Sequence, residues 1–175
     1  MEIQTLGIDI AKSVFQLHGV NRDGKVVLAK KVTRGNFLKV LSNLQPCLIG
    51  IEACATSHHW GRELSNLGHD VRLIPPSYVK PYVRRQKNDA ADAEAICEAV
   101  SRPNMNFTPI KSTIQQSVLM LHRSRDLLMR QRTMLLNAIR AHLAEFGIAL
   151  AQGPKQVSAY VGRLQQGEVV DDTLP

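Results

Sequence analysis

The sequence predicts an α/β domain with a mixed sheet, followed by a long protruding helix of coiled-coil type. Three observations carry that expectation. Up to Pro103, short apolar runs of strand length alternate with segments of helical spacing. An Asn21-Arg22-Asp23-Gly24 turn signal joins two of the first runs. From Ser112 onward, no Gly or Pro interrupts the chain until Gly147.

Residues Ile3 to Ile10 read as a buried strand and Val14 to Val20 as a second. Asp23-Gly24 tolerates the positive φ that a tight hairpin demands, so Lys25 to Val32 follows as a third, antiparallel strand. Thr33 is placed to cap a helix carrying Phe37, Leu38, Val40, Leu41 and Leu44, and Pro46 ends it. Cys47 to Ala53 is a short apolar strand. A helix from about Ser57 to Leu67 follows, stopped by Gly68. Asp70 to Ile74 is a further strand, which Pro75-Pro76 prevents from continuing. Asn88 then offers an N-cap for a helix opened by Asp89 and Asp92. The order β-β-β-α-β-α-β-α places antiparallel strands first and crossover helices later.

Ser112-x-x-Gln115 has the form of a capping box for the next helix. Apolar residues recur at Ile114, Val118, Leu121, Leu128, Leu135, Ile139 and Phe146 in steps that follow a coiled-coil seam, with Arg125, Arg132 and His142 at its remaining positions. A helix of that length spans about 50 Å, too long to lie flat on a small domain. It reads as an arm that pairs with another helix; an arm packed on its own domain is the competing reading. The expected division is therefore residues 1–104, 105–150 and a linker over 151–175, where Gly153-Pro154, Gly162 and Gly167 suggest no compact unit.

Lys and Arg number 22 against 15 acids, for a formal charge of +7 over 175 residues. A basic surface can be mere solvation, but here the cations are grouped. Arg62, Arg72, Lys80, Arg84, Arg85 and Lys87 precede the paired aspartates, and Lys111, Arg123, Arg125, Arg130, Arg132 and Arg140 follow them. Such blocks suit phosphate, whose neutralisation releases counterions. Cys47, Cys54 and Cys97 form no Cys-x-x-Cys spacing, so neither a disulfide framework nor a zinc knot is indicated. The N-terminus carries no secretory pattern, and no apolar run approaches the roughly 20 residues needed to cross a bilayer. A cytoplasmic, nucleoid-associated protein without a membrane partner is expected.

Four carboxylates stand out in this basic chain. Asp9 closes the run Leu6-Gly7-Ile8, and Glu52 closes Leu48-Ile49-Gly50-Ile51. Asp89 and Asp92 sit three residues apart on one helix face. Acids in a first helical turn also serve the macrodipole and commonly do nothing more. A carboxylate directly after a buried run is costlier unless it is paired or metal-bound. Taken together, the four suit a pair of Mg²⁺ ions, which prefer few carboxylates plus waters and substrate phosphate. Lys12, three residues beyond Asp9, can reach a phosphate beside them or simply be a solvated lysine at a strand end. His58-His59, Cys54 and Trp60 are better explained as packed or surface residues.

Gly7-Ile8-Asp9-Ile10-Ala11-Lys12, Gly50-Ile51-Glu52-Ala53 and Lys87-Asn88-Asp89-Ala90-Ala91-Asp92-Ala93 together resemble the DEDD signature of the insertion-sequence 110 family of transposases, to which the Piv-type DNA invertases are similar. Residues 68–74, 79–83, Arg102-Pro103 and His122-Arg123 resemble that family as well, so the likeness covers roughly residues 1–153. It implies an RNase H-like (RuvC-like) domain followed by a coiled-coil helix that mediates assembly into a homo-oligomer. It implies that Asp9, Glu52, Asp89 and Asp92 are both catalytic and metal-binding, holding two Mg²⁺ for which Mn²⁺ can substitute. Nucleic acid is expected to meet Lys12, Lys80, Arg84, Arg85, Lys87, Arg123, Arg125 and Arg132. The expected activity is DNA transposition by strand cleavage and rejoining, guided by a bridge RNA and completed by a C-terminal domain whose serine attacks the DNA backbone. A stand-alone junction-resolving nuclease and a non-catalytic nucleic-acid-binding or dimerisation fragment are the alternatives. A sugar-kinase or ATPase reading of Gly7-Ile8-Asp9 would need a second lobe and a later Gly-rich phosphate motif, which the sequence lacks.

Overall fold

The computed structural model describes residues 2–83 and 89–168. They fall into two compact units that meet at Thr113 and Ile114. In the first, β1 (Thr5–Ile10), β2 (Val14–Val20) and β3 (Val26–Thr33) form the expected antiparallel hairpins. Asn21 ties the second turn together, its side-chain oxygen accepting from the backbone N–H groups of Asp23 and Lys25. Gly24 there adopts φ 74°, the conformation for which the Asp-Gly pair was read.

α1 (Phe37–Leu41) leads to β4 (Leu48–Glu52), and α2 (Ser57–Asn66) leads to β5 (Asp70–Ile74). The sheet order is β3-β2-β1-β4-β5, with β1, β4 and β5 parallel. The mixed sheet and the crossover helices of the sequence reading are both present. Local detail differs at Thr33, which ends β3 and makes no side-chain cap bond; a single 3₁₀ turn over Arg34–Asn36 precedes α1. Beyond β5 the two prolines open a short helix, α3 (Pro76–Val79), and a 3₁₀ turn over Lys80–Tyr82. α4 runs from Asp89 to Val100. Asn88, read as its cap, lies outside the described residues, as do Arg84, Arg85 and Lys87.

Strand alternation divides the core between the two faces of the sheet. Leu6, Ile8, Phe15, Leu17, Ile49 and Ile51 point to one face, where Phe37, Leu41, Trp60 and Leu64 close over them. Phe15, Phe37 and Trp60 meet edge-to-face, with centroids 4.6 to 5.1 Å apart. Trp60 is thus a core residue rather than a stacking platform. His69, 5% exposed, fastens the start of β4 beneath this layer. Its Nδ1 accepts from the Cys47 backbone N–H at 3.3 Å, which leaves Nε2–H to donate to Leu41 O at 3.4 Å.

The opposite face belongs to α4, and two glycines let it lie there. A Cβ on Gly7 would come within 3.0 Å of Ala93 O and of Cys97, and one on Gly50 would come equally close to Val100. Gly7 and Gly50 are partners in the β1–β4 register. The helix backbone therefore rests directly on two adjacent strands, with Ala93, Ile96, Cys97 and Val100 buried beneath it.

The second unit contains α5 (Thr113–Glu145) and α6 (Pro154–Gln165). α5 begins immediately after Ser112, where the capping pattern put it. It ends in a Schellman turn: Gly147 at φ 80° allows Ile148 N–H to donate to Leu143 O and Gly147 N–H to donate to Ala144 O. Residues 154–165, read from the sequence as part of a linker, form a helix with Pro154 in its first turn. Val157, Tyr160 and Leu143 are the buried residues of this pair, and Leu143 is the only one contributed by α5.

Candidate metal centre

Glycine spacing explains where the carboxylates go. Gly7 and Asp9 are two residues apart on β1, and Gly50 and Glu52 are two apart on β4, so each acid shares the glycine's face of the sheet. β1 and β4 run parallel in register through Ile8 and Ile51, which sets Asp9 and Glu52 side by side at the strand ends. The backbone of α4 rests on the glycines, so the first turn of that helix overhangs the acids. Asp89 and Asp92 occupy that turn.

Electrostatics records the convergence. The Asp9 carboxyl is pushed up from its ordinary 3.8 to about 6, first by burial and then by the negative charges of Asp92, Asp89 and Glu52. A backbone hydrogen bond from Ile10 opposes the rise without cancelling it. The sequence-expected carboxylates therefore share one field. Among the described residues, no three His, Cys, Asp or Glu side chains are gathered closely enough to hold an ion as they stand. The donor set still fits a hard divalent cation: every candidate ligand is a carboxylate oxygen, and the mutual repulsion is what a cation would relieve.

Lysines of the first unit enter the same region. Lys80, Glu52 and Asp92 line an open cleft of about 410 Å³, whose other wall is Pro76, Val79 and Val83. Lys31, at the edge of the sheet, stands 4.0 Å from Asp89. Both side chains are mostly exposed, so this contact marks position rather than stability. Lys12 is exposed in the connection from β1 to β2, directly after the strand that ends with Asp9. Arg123, Arg125 and Arg132 are exposed on α5, in the second unit; Arg125 lies 3.8 Å from Asp126. Arg132 lines a groove of about 310 Å³ with Asn137, Arg140 and the start of α6.

The remaining candidates have structural roles or none near the carboxylates. Burial raises the thiols of Cys47 and Cys97 to about 11, which suppresses the nucleophilic thiolate. His58 accepts from the Lys111 backbone N–H at 3.2 Å, and the Arg62 guanidinium donates to Lys111 O at 2.6 Å. These bonds fasten residues around Lys111 to α2. Sequence reasoning had no role for Lys31, because its position next to Asp89 follows from the strand register and from nothing local.

The family model described as Transposase, for DEDD transposases of the IS110 type, matches residues 6–148. The chain belongs to the IS110 family of DEDD transposases. Among its relatives, it is 49% identical over 174 residues to a putative transposase of Sinorhizobium fredii, a match spanning 99% of this chain and 44% of that protein. It is 51% identical over 148 residues to a probable family 20 transposase of Pseudomonas aeruginosa, spanning 85% of this chain and 44% of the relative. The transposase for insertion sequence element IS1111A of Coxiella burnetii is 43% identical over 155 residues, spanning 89% and 43%. The chain thus spans less than half the length of these IS110-family relatives. Among solved structures, T. thermophilus RuvC in complex with Holliday junction substrate is similar at 14% identity and a TM-score of 0.41, over 57% of this chain and 92% of that one. That degree of likeness decides nothing further about the site. No helix among the described residues is long and apolar enough to cross a membrane.

Proposed function

We propose that this chain is the RuvC-like, metal-binding part of a DNA transposase, in which Asp9, Glu52, Asp89 and Asp92 hold divalent cations at a DNA phosphodiester. The observation that carries this reading is the Asp9 carboxyl, driven up to about 6 by burial and by the other three acids. Such clustering of like charge is costly to the fold and is relieved by a cation. Mg²⁺, with Mn²⁺ as a substitute, would polarise the phosphodiester and activate an oxygen nucleophile when bound. The chain's own groups would position the substrate. Lys80 supplies a cation inside the cleft that Glu52 and Asp92 line, and Lys12 supplies one beside Asp9. Arg84, Arg85 and Lys87, between that cleft and α4 in the sequence, extend the proposed contact to DNA.

The IS110 membership supports strand cleavage and rejoining in DNA transposition. In this reading, a guide RNA selects the DNA and a serine from a further domain completes the chemistry. The arm is proposed to join copies of the protein. Ile114, Leu121, Leu128 and Leu135 recur at seven-residue intervals on α5 and are 64 to 76% exposed. Val118, Ile139 and Phe146 share the second seam position with Arg125 and Arg132, and all three are exposed as well. An apolar stripe of this length is stable in water when another helix covers it. Arg123, Arg125 and Arg132 leave the arm basic enough to meet phosphate too.

The deciding experiment is a Mg²⁺ and Mn²⁺ titration of the chain by calorimetry, beside a DNA-cleavage assay of the chain joined to the C-terminal part of the Sinorhizobium fredii relative. Glu52→Gln and Asp92→Asn are expected to abolish both. Cation binding and cleavage that persist in both variants would exclude these carboxylates as the centre.

A further inference from the structure

The row of side chains that contains Asp9 continues across the sheet. β1 and β2 pair with Asp9 opposite Gln16, and β2 and β3 pair with Gln16 opposite Lys31. All three occupy the α4 face: Asp9 by alternation from Gly7, Gln16 by alternation from the core residues Phe15 and Leu17, and Lys31 by its approach to Asp89. His18, two residues beyond Gln16 on β2, feels the charge of Glu94 on the same helix. The row thus runs Glu52, Asp9, Gln16, Lys31 beneath the first turn of α4.

Gln16 is the anomaly in that row. It is 8% exposed, and its side-chain Oε1 is buried with no hydrogen-bond partner among the described residues. Buried amides are ordinarily satisfied, because an unpaired carbonyl has given up its water and gained nothing. An apolar residue of the same volume would fill the space without that cost. Trp60 Nε1, Gln116 Oε1 and Tyr160 OH are also buried without partners among the described residues, but Gln16 alone faces a carboxylate of the proposed centre across a strand pair. Its neutrality also matters. A fifth carboxylate here would raise Asp9 still further, whereas an amide oxygen adds an acceptor without adding charge.

We infer that Gln16 is a positioning residue of the cation centre, its amide oxygen accepting a hydrogen bond from the hydration shell of a divalent cation held at Asp9. The inference rests on the metal-centre reading above. Mg²⁺ retains several waters when protein-bound, and those waters need acceptors beyond the carboxylates. An acceptor reserved for such a water makes no hydrogen bond to protein groups, and Gln16 Oε1 makes none among the described residues.

Two variants test this, with Mg²⁺ affinity read by calorimetry and the unfolding midpoint read in EDTA. Gln16→Met keeps the volume and removes the acceptor. It is expected to weaken Mg²⁺ binding about tenfold to a hundredfold, the range for outer-shell partners. Its midpoint in EDTA is expected to equal or exceed that of the wild type, which a merely structural glutamine would not produce. Gln16→Glu is expected to tighten Mg²⁺ binding and to lower the midpoint in EDTA. Wild-type affinity in Gln16→Met overturns the inference while leaving the carboxylate centre intact. Should Gln16→Met not fold, unchanged affinity in Gln16→Glu overturns it equally. A wild-type chain that takes up neither Mg²⁺ nor Mn²⁺ removes the metal centre itself, and the role of Gln16 with it.

Discussion

Replacing Asp9 by Asn is expected to stabilise the cation-free chain, because the wild-type residue is a charge held where charge is disfavoured. A rise in pKa from 3.8 to about 6 corresponds to about 3 kcal/mol between the two protonation states. Asp9 is only partly buried, so solvent screening lowers the expected gain to about 1–2 kcal/mol. The sign follows from proton linkage. A carboxyl whose folded-state pKa is raised binds its proton more tightly in the folded chain. Its favourable contribution is complete below about pH 4, falls as pH rises, and is gone above about pH 6. Asp9→Asn should therefore exceed the wild type by the full amount at pH 8 in EDTA, and the gap should close on acidification. His18 and His69, lowered by burial, destabilise the fold as pH falls below their ordinary 6.5, but they do so in both proteins and cancel in the difference. Urea unfolding followed by fluorescence of Trp60, the one tryptophan and a core residue, measures that difference. Excess Mg²⁺ should reverse the order, since only the intact cluster gains from binding. An Asp9→Asn chain less stable than the wild type at pH 8 in EDTA, or a gap that does not change with pH, refutes the argument.

Three further outcomes are expected. Gly7→Ala forces α4 off β1, so it should cost about 1–3 kcal/mol from overpacking and reduce cation affinity together; unchanged affinity would mean that the seating of α4 does not set the carboxylates. Native thiol titration at pH 8 should give one rapidly reacting cysteine, the exposed Cys54, with Cys47 and Cys97 released only on unfolding; rapid reaction of two or three contradicts the burial described above. Leu128→Glu with Leu135→Glu should shift sedimentation toward the monomer without changing the unfolding of the first unit, and a wild-type chain that is monomeric at high concentration would remove the arm as an assembly surface.

The order of elements was legible because it depends on local signals. Apolar runs, Asp23-Gly24, Gly68 and Pro75-Pro76 located the strands and α2 to within a residue or two of where they stand, whereas the helix expected from Thr33 through Leu44 is only Phe37–Leu41. The 3₁₀ turn after Thr33 was not legible, since the short α1 is anchored by the burial of Phe37 and Leu41 rather than by a cap. Helix α6 was hidden for a related reason. Gly153-Pro154 and Gly162 look like linker residues, yet Pro154 suits a first helical turn and Val157 and Tyr160 are buried one turn apart. At the candidate site, Asp9 and Glu52 could be picked out because a carboxylate after a buried run is unusual, whereas Asp89 and Asp92 stood out only in combination with them. Gln16 could not, because a single polar residue in Val14-Phe15-Gln16-Leu17 is what any half-exposed strand shows. Only the register and its burial set it apart.

The pattern Gly-x-acid on two adjacent strands joins fold and site in a single device. Were either glycine larger, α4 would have to stand off the sheet, and its first turn would no longer overhang Asp9 and Glu52. The same close seating explains why Asp9 is raised and not merely exposed: the helix that brings Asp89 and Asp92 also excludes the water that would screen them. Electrostatic relief of the acids and affinity for a cation at the proposed centre would thereby be coupled with opposite sign. A change that loosens α4 should relieve the acids and weaken the proposed centre at once. Substitutions at Gly7 or Gly50 should consequently move the pKa of Asp9 back toward 3.8, even though neither residue carries a charge. NMR titration of the Asp9 carboxyl in Gly50→Ala tests this directly, and a value still near 6 would show that the acids converge independently of the helix.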